Sequence, residues 1–183
     1  MNMRRWAVAA ALSLLSTAAV AQDVKVDFDK DADFSTIKTF SAKIATTWNN
    51  PIGEKRVLEE MEQALTEKGW TKAAPEAADA LVLLHGATEK QKSLNTFYSG
   101  GGYGGYGYRG WGGGMGMGTA TTTESEYIVG TLVVDIFNAK SKALMFRGTA
   151  QDELSDKPEK NQKKLAKASD KMFKDFPPGS KKK

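Results

Sequence analysis

The sequence predicts an α+β fold in which a mixed or antiparallel sheet carries two helices packed on one face, interrupted by a glycine-rich loop expected to be disordered. Several stretches alternate apolar and polar residues or are rich in β-branched residues, as strands are. Two other stretches repeat apolar residues at helical spacing, and each must bury that stripe against the sheet. Between Gly100 and Gly118, twelve of nineteen residues are glycine, a composition that does not offset the entropy of folding.

The first predicted elements are two extended segments and a helix. Residues Val24–Asp29 alternate strictly, which predicts a half-buried strand, and Ser35–Ala42 repeats the alternation more briefly. Asn50 followed by Pro51 is a helix cap with proline at the first helical position, and Gly69 offers a C-cap. The sequence therefore predicts a helix of about four or five turns between them. Its apolar stripe consists of Val57, Leu58, Met61 and Leu65.

A strand and a hairpin are predicted next. Ala80–Leu84 is continuously apolar, which is typical of an interior strand covered on both faces. Thr121–Phe137 is rich in β-branched and aromatic residues, with Gly130 expected at a bulge or boundary. Asn138–Lys142 predicts a turn, so that Ala143–Leu154 returns as the second strand of a hairpin.

A closing helix begins near Pro158 and is stopped by Pro177 and Pro178. From Lys157 to Lys183 the chain carries ten lysines against three acidic residues. Such a run is either a solvated helix face with a frayed tail or a surface for peripheral contact with an anionic partner such as phospholipid. The apolar face of this helix consists of Leu165, Ala168, Met172 and Phe176.

The first 21 residues have the pattern of a secretory signal peptide. Arg4 and Arg5 form the basic region, Ala7–Val20 the apolar region and Ala19–Ala21 the cleavage site. We therefore expect cleavage after Ala21 and a periplasmic or otherwise exported protein. The apolar run is shorter than the roughly 20 residues that cross a bilayer, so no transmembrane helix is expected after cleavage. The predicted organisation is a signal peptide at 1–21, a single α+β domain at 22–176 with a Gly/Tyr-rich insertion at 98–120, and a basic tail at 177–183.

Composition excludes several classes of site. The chain has no cysteine, which excludes disulfides, thiolate metal sites and an acylated N-terminal cysteine, so the protein is not expected to be a lipoprotein. With His85 as the only histidine, a transition-metal site would consist almost entirely of carboxylates, and we expect no metal and no cofactor. Removing Arg4 and Arg5 lowers the formal net charge from +4 to +2, and so no nucleic-acid partner is expected.

The candidate catalytic and metal-binding side chains lack the partner residues that a complete site requires. Residues Asp27–Asp31 begin like a calcium loop, but Ala32 and Lys38 stand where that loop requires glycine and glutamate. We interpret them as the outward face of a strand running into an acidic turn. His85 follows the apolar strand without any nucleophile motif, and we interpret it as a polar residue that closes the strand.

Arg147 is the candidate binding residue of the predicted hairpin. Asp135 lies nearly opposite it in the expected register, so the two side chains are predicted to pair across strands. This structural role is the first interpretation. The second is that the guanidinium of Arg147 bridges to a carboxylate of a ligand.

The order of elements and several local motifs resemble a known family. The strand DALVLL, the helix ending in KGW and the closing KDFPPG are similar to domain-of-unknown-function family 4136, a bacterial envelope family, over nearly the whole predicted mature chain. Many of its members resemble lipoproteins, but this chain lacks the cysteine that acylation needs. The resemblance implies a fold and a compartment, and no catalytic residues. Its most specific part is the hairpin motif at Gly130, Thr131, Leu132, Asp135, Phe146, Arg147 and Gly148.

The glycine segment contains the string G-x-G-x-x-G at Gly102–Gly107, but no strand-to-helix turn follows, so a nucleotide site is not predicted. With only one arginine among its aromatic residues, it also lacks the charge of a nucleic-acid-binding tract. Two interpretations remain open: a bare insertion that the domain tolerates, or a sticky segment that acts by contact. The candidate contact residues are Tyr103, Tyr106, Tyr108, Arg109 and Trp111.

We therefore predict an exported, non-catalytic envelope protein that binds an unknown envelope protein or polymer. One alternative is a hydrolase of an envelope polymer that uses carboxylates such as Asp27, Asp29 or Asp135. Another alternative is a surface or stress protein that self-associates through its glycine- and tyrosine-rich loop.

Overall fold

The computed structural model describes residues 22–99 and 119–178 and confirms the α+β fold, with two helices on one face of a mixed six-stranded sheet. The predicted signal peptide, the disorder expected of residues 100–118 and most of the basic tail lie outside these residues. The elements are β1 (Asp23–Phe28), β2 (Thr39–Thr46), α1 (Pro51–Glu67), β3 (Thr71–Lys72), β4 (Ala80–Ser99), β5 (Thr119–Asn138), β6 (Leu144–Leu154) and α2 (Pro158–Met172).

Strand order in the sheet is β1-β6-β5-β4-β2-β3. The β2 strand is parallel to both β3 and β4, whereas β4–β5, β5–β6 and β6–β1 are antiparallel. The predicted β5–β6 hairpin is present, with Asn138 accepting hydrogen bonds from the turn amides of Lys140 and Ser141. The two-residue strand β3 was not predicted, because a segment this short has no periodicity to detect.

Both helices begin as predicted. The side chain of Asn50 accepts a hydrogen bond from the Gly53 amide, which caps α1, and α2 has Pro158 in its first turn. The end of α2 differs from the prediction, since the helix stops at Met172 instead of continuing to the prolines. Phe173 and Phe176, which lie beyond the end of the helix, are both buried in the core.

The core lies between the helices and one face of the sheet. Six aromatic residues form its centre near the C-terminal end of the described chain, and Phe176 is in edge-to-face contact with four other rings. The ring centroid of Phe176 is 5.0 Å from that of Trp70, 5.2 Å from that of Phe146 and 5.8 Å from that of Phe34. The six residues are Phe34, Phe40, Trp70, Phe146, Phe173 and Phe176.

Two expectations about the strands are wrong. Val82 and Leu84 on β4 face the helices and are buried, but Leu81 and Leu83 on the other face are only half-buried, because no second layer covers that face. We call this uncovered side the open face. Gly130 is not a bulge, since it pairs with β4 and β6 in unbroken register. Its missing side chain instead leaves room for Leu154, whose Cδ2 would lie 2.9 Å from a Cβ at this position.

The hairpin of β4 and β5 is much longer than predicted. Each strand has 20 residues, but β2 pairs with β4 only as far as His85, and β6 pairs with β5 only as far as Ile128. Beyond these points Gln91–Ser99 pairs with Thr119–Tyr127 alone, and we call this part the ribbon. Nine residues at the usual rise of an antiparallel strand give the ribbon a length of about 30 Å.

Candidate functional site

A polar cluster lies on the open face where three strands are adjacent. Because directly paired residues share a face, the register places Asp27 of β1, Arg147 of β6 and Asp135 of β5 side by side. The guanidinium of Arg147 donates from Nε to Oδ1 of Asp135 at 2.6 Å and from Nη2 to Oδ2 at 2.7 Å. This is a bidentate, charge-assisted pair of hydrogen bonds. The cross-strand pairing expected from the sequence is therefore present.

Burial of this pair is unequal. Asp135 is 3% exposed, whereas the side chain of Arg147 is 52% exposed. The hydrogen bonds and charge of Asp135 raise the pKa of Arg147, so the guanidinium stays charged. One edge of the Arg147 guanidinium thus binds a buried carboxylate, while about half of the side chain remains accessible to a ligand.

His85 extends the cluster toward β2. Its Nδ1 is 2.8 Å from Oγ1 of Thr46, and its Nε2 is 3.8 Å from Oδ2 of Asp135. This proximity was not predicted from the sequence. Alternation along β4 could have placed His85 on the same face as Asp135. Only the register, in which His85 pairs with Val133, two residues from Asp135, shows that the two side chains are diagonal neighbours.

The order hydroxyl, imidazole, carboxylate is also the order of a catalytic triad, but the geometry differs in two ways. A separation of 3.8 Å is too long for the hydrogen bond that orients a catalytic histidine. Both oxygens of Asp135 are already bonded to Arg147. The arrangement is thus suited to holding Arg147 and His85 in place on the sheet surface.

The other predicted carboxylates make local contacts. Asp27 accepts a hydrogen bond from the amide of Phe28, and Asp29 from the amide of Asp31, as in strand ends and turns. Within residues 22–99 and 119–178, no group of three or more histidine, cysteine or acidic side chains is arranged to hold a metal ion.

Side-chain contacts across its two strands support the ribbon. The Nζ atom of Lys92 lies 2.6 Å from Oε1 of Glu124 and 3.6 Å from Oε1 of Glu126. The hydroxyl of Tyr127 donates a hydrogen bond to Oε1 of Gln91 at 2.9 Å. The glycine segment joins the two ends of the ribbon at Ser99 and Thr119. The candidate contact residues Tyr103, Tyr106, Tyr108, Arg109 and Trp111 lie in that segment, outside the described residues.

Most lysines of the described part of α2 face solvent, including Lys160, Lys163, Lys167 and Lys171. Lys164 differs, because its ammonium group is 2.8 Å from a carboxylate oxygen of Asp152. In the described parts of the chain, no helix combines the length and the apolar character that crossing a bilayer requires.

Comparison with known proteins relates this fold to others. A PDZ domain protein from Parabacteroides distasonis aligns with a TM-score of 0.51 and 17% identity. The alignment covers 85% of this chain but only 36% of the PDZ domain protein. A PelC dodecamer from Paraburkholderia phytofirmans aligns with a TM-score of 0.46 and 14% identity, over 83% of this chain and 98% of that one. No curated protein matches the sequence. The family model of DUF4136, described as a domain of unknown function, matches residues 24–178. The resemblance predicted from the hairpin motif is therefore confirmed, and the chain belongs to the DUF4136 family.

Proposed function

We propose that this protein is an exported, non-catalytic binding module of the cell envelope, and that its ribbon presents the glycine- and aromatic-rich segment to a protein or polymer partner. One observation carries the proposal: the ribbon extends beyond the sheet, and the segment from Gly100 to Gly118 joins its two ends.

The ribbon adds little to the stability of the domain. A two-stranded hairpin outside a sheet buries little apolar surface and is marginal alone. The exposed Leu94 and the charged side chains of Lys92 and Glu124 are consistent with a solvated surface. A two-stranded extension of nine residues in each strand that lies outside the core is better explained by contact with a partner.

The aromatic residues of the segment suit such contact. Tyrosine and tryptophan bind with large area and a polar tip, and they are enriched at binding surfaces. The open face is a second surface of the same molecule, and the side chain of Arg147 on this face is 52% exposed.

The first test is in-cell crosslinking followed by affinity purification. A deletion variant in which Gly100–Gly118 is replaced by Asn-Gly is compared with the unaltered protein. A full-length variant in which Tyr103, Tyr106, Tyr108 and Trp111 become serine preserves the glycines and the length. The matched control replaces Met115 and Met117 with serine in the same segment.

We expect crosslinked partners to be lost in the deletion and aromatic variants and kept in the control. Partners that persist in all variants would contradict the role of the segment and would direct attention to Arg147. Crosslinks only between copies of this chain would instead favour self-association.

Export is tested separately by mass spectrometry of the protein recovered from the cell envelope. We expect an N-terminus at Gln22. Intact protein beginning at Met1 in the cytoplasm would contradict export while leaving the crosslinking result to be judged by itself.

A further inference from the structure

A cleft of about 420 Å³ lies between the N-terminal halves of both helices and the face of the sheet that they cover. It is separate from the polar cluster, which occupies the open face. Its floor is formed by Gly86, Gly130, Leu132 and Ala150, on three neighbouring strands. Ligand-binding clefts in proteins generally have about 300–1,000 Å³, so this one is large enough for a small molecule.

The cleft begins one level beyond the packed core of the sheet. One level toward the core, Leu84 and Val134 are buried, and Met172 fills the space above Gly148. At the next level the paired residues are Gly86, Leu132 and Ala150, which leave the space beneath the helices unfilled.

Two glycines also shape the walls of the cleft. A Cβ at Gly86 would lie 1.9 Å from Cε3 of Trp48, so the absence of a side chain lets the indole lie directly on the strand. Gly130 similarly receives the side chain of Leu154. Both large side chains therefore line the cleft instead of filling its centre. The apolar walls consist of Trp48, Ile52, Val57, Leu132, Leu154 and Leu165.

Charge around the cleft is positive. Lys164 is neutralised by its ion pair with Asp152 at 2.8 Å. Arg56 lines the cleft, is exposed, and makes no ion pair with any residue in the described part of the chain. An apolar cleft with one uncompensated guanidinium complements a ligand that has an apolar body and an anionic group.

We propose that this cleft binds a single-chain anionic amphiphile such as a fatty acid, with the acyl chain on the glycine floor and the carboxylate facing Arg56. This binding does not depend on the ribbon or on the glycine segment. Ile52, 68% exposed at the cleft, would be covered by the bound chain.

The test uses the purified full-length protein and isothermal titration calorimetry with dodecanoate, octanoate and dodecanol, each below its aggregation concentration. Burying a methylene contributes a factor of up to about four in affinity, so dodecanoate should bind much more tightly than octanoate. Arg56→Gln should weaken dodecanoate binding by up to about fivefold and leave dodecanol unchanged.

Lys55→Gln is the matched control, because it removes the same charge from the adjacent residue of α1. Lys55 does not line the cleft, and its ammonium group lies 3.7 Å from a carboxylate oxygen of Glu59. This substitution should leave binding unchanged. Leu132→Trp should fill the cleft and weaken dodecanoate binding by about tenfold or more. Ile52→Ser alters a side chain that is already exposed, so it should fold normally and weaken binding about threefold.

Three results would overturn the proposal: no heat of binding with dodecanoate at either of two temperatures about 15 °C apart, equal losses in Lys55→Gln and Arg56→Gln, or unchanged affinity in Ile52→Ser. Sedimentation of the protein as a dimer whose cleft residues are protected from solvent would also overturn it, because a second copy would then cover the cleft. Loss of ribbon-dependent crosslinking partners has no bearing on these outcomes.

Discussion

The carboxylate of Asp135 is buried and depends on Arg147 for its compensation. Removing one member of such a pair costs more than the pair contributes, because the remaining charged group stays away from water without a partner. His85, at 3.8 Å, is too far away to replace the two hydrogen bonds. Arg147 is therefore needed to compensate the buried charge of Asp135 between β5 and β6.

We expect Arg147→Ala to lower the free energy of unfolding by about 1–3 kcal/mol, since Arg147 is half-exposed and water can partly reach the freed carboxylate. Urea denaturation monitored by tryptophan fluorescence measures the change. The control is Lys25→Ala, which breaks an exposed ion pair with Asp23 and should change stability by less than about 0.5 kcal/mol. Equal effects in the two variants would show that the Asp135–Arg147 pair is not needed for stability.

Asp79 stabilises the junction where β2 begins. Its Oδ2 accepts hydrogen bonds from the amides of Lys38 and Thr39, both at 3.0 Å, and from the hydroxyl of Thr39 at 2.9 Å. Hydrogen bonds from Lys38 and Thr39 lower the pKa of Asp79 below its ordinary value of 3.8. These bonds favour the charged form of the carboxylate.

Because the pKa of Asp79 is lower in the folded state, its contribution to stability is fully present above pH 3.8 and is lost as the pH falls through the lowered value. We expect Asp79→Asn to have a lower free energy of unfolding than the unaltered protein at neutral pH. This difference in free energy should shrink as the pH falls below 3.8. Thermal unfolding followed from neutral pH into acid measures this. A difference that stays constant into strong acid would contradict the assignment.

The long hairpin of β4 and β5 combines two parts with different environments. Near Val82 and Leu84 the strand is flanked by β2 and β5 and covered by helices. From Gln91 onward it pairs with β5 alone. Hydrogen bonds that lack neighbouring strands and buried apolar contacts open at low free-energy cost. One continuous strand should thus contain a rigid part and a part that opens locally.

Hydrogen exchange measured by mass spectrometry checks this expectation. Amides of Gln91–Leu94 should exchange by local opening, on the order of 100-fold or more faster than amides of Val82–Leu84, which require global unfolding. The Asn-Gly replacement of Gly100–Gly118 should slow exchange in the ribbon, because a shorter loop costs less entropy to close. Equal protection along all of β4 would mean that the ribbon is covered by something else in solution.

The last described residues connect the whole domain. Phe176 lies beyond the end of α2, yet its ring contacts the rings of Trp70, Phe146 and Phe173. These residues come from the segment after α1, from β6 and from the turn after α2. The aromatic cluster therefore joins both helices to the sheet and ties the end of the chain to its middle.

We expect Phe176→Ala to destabilise the protein by about 3–5 kcal/mol, because a 5% exposed ring leaves a cavity among four aromatic neighbours. Phe28→Ala is the control, because that phenylalanine is 41% exposed on β1 and should cost about 1 kcal/mol. Guanidinium denaturation measures both. A loss at Phe176 as small as that at Phe28 would show that the chain end is not part of the cooperative core.

Features that depend on near neighbours in the chain could be predicted. The Asn50 cap, the stripe containing Met61 and Leu65, and the turn after Asn138 follow from local chemistry. Asp135 and Arg147 are only 12 residues apart, so the hairpin brings them near each other, but a one-residue register shift between Ile136 and Phe137 decides that they pair directly. The end of α2 at Met172 could not be predicted in this way, because Phe173 and Phe176 continue the apolar spacing of the helix beyond that residue.

The sequence by itself determined the fold class, the family motif, the two helices and the β5–β6 hairpin, since periodicity and turn chemistry are written in short segments. Only the tertiary structure decided that His85 reaches Thr46, 39 residues away, that Trp48 lies on Gly86, and that an open cleft remains between helices and sheet. These features arise where distant strands and helices meet, and their positions depend on register and packing, which local patterns do not specify.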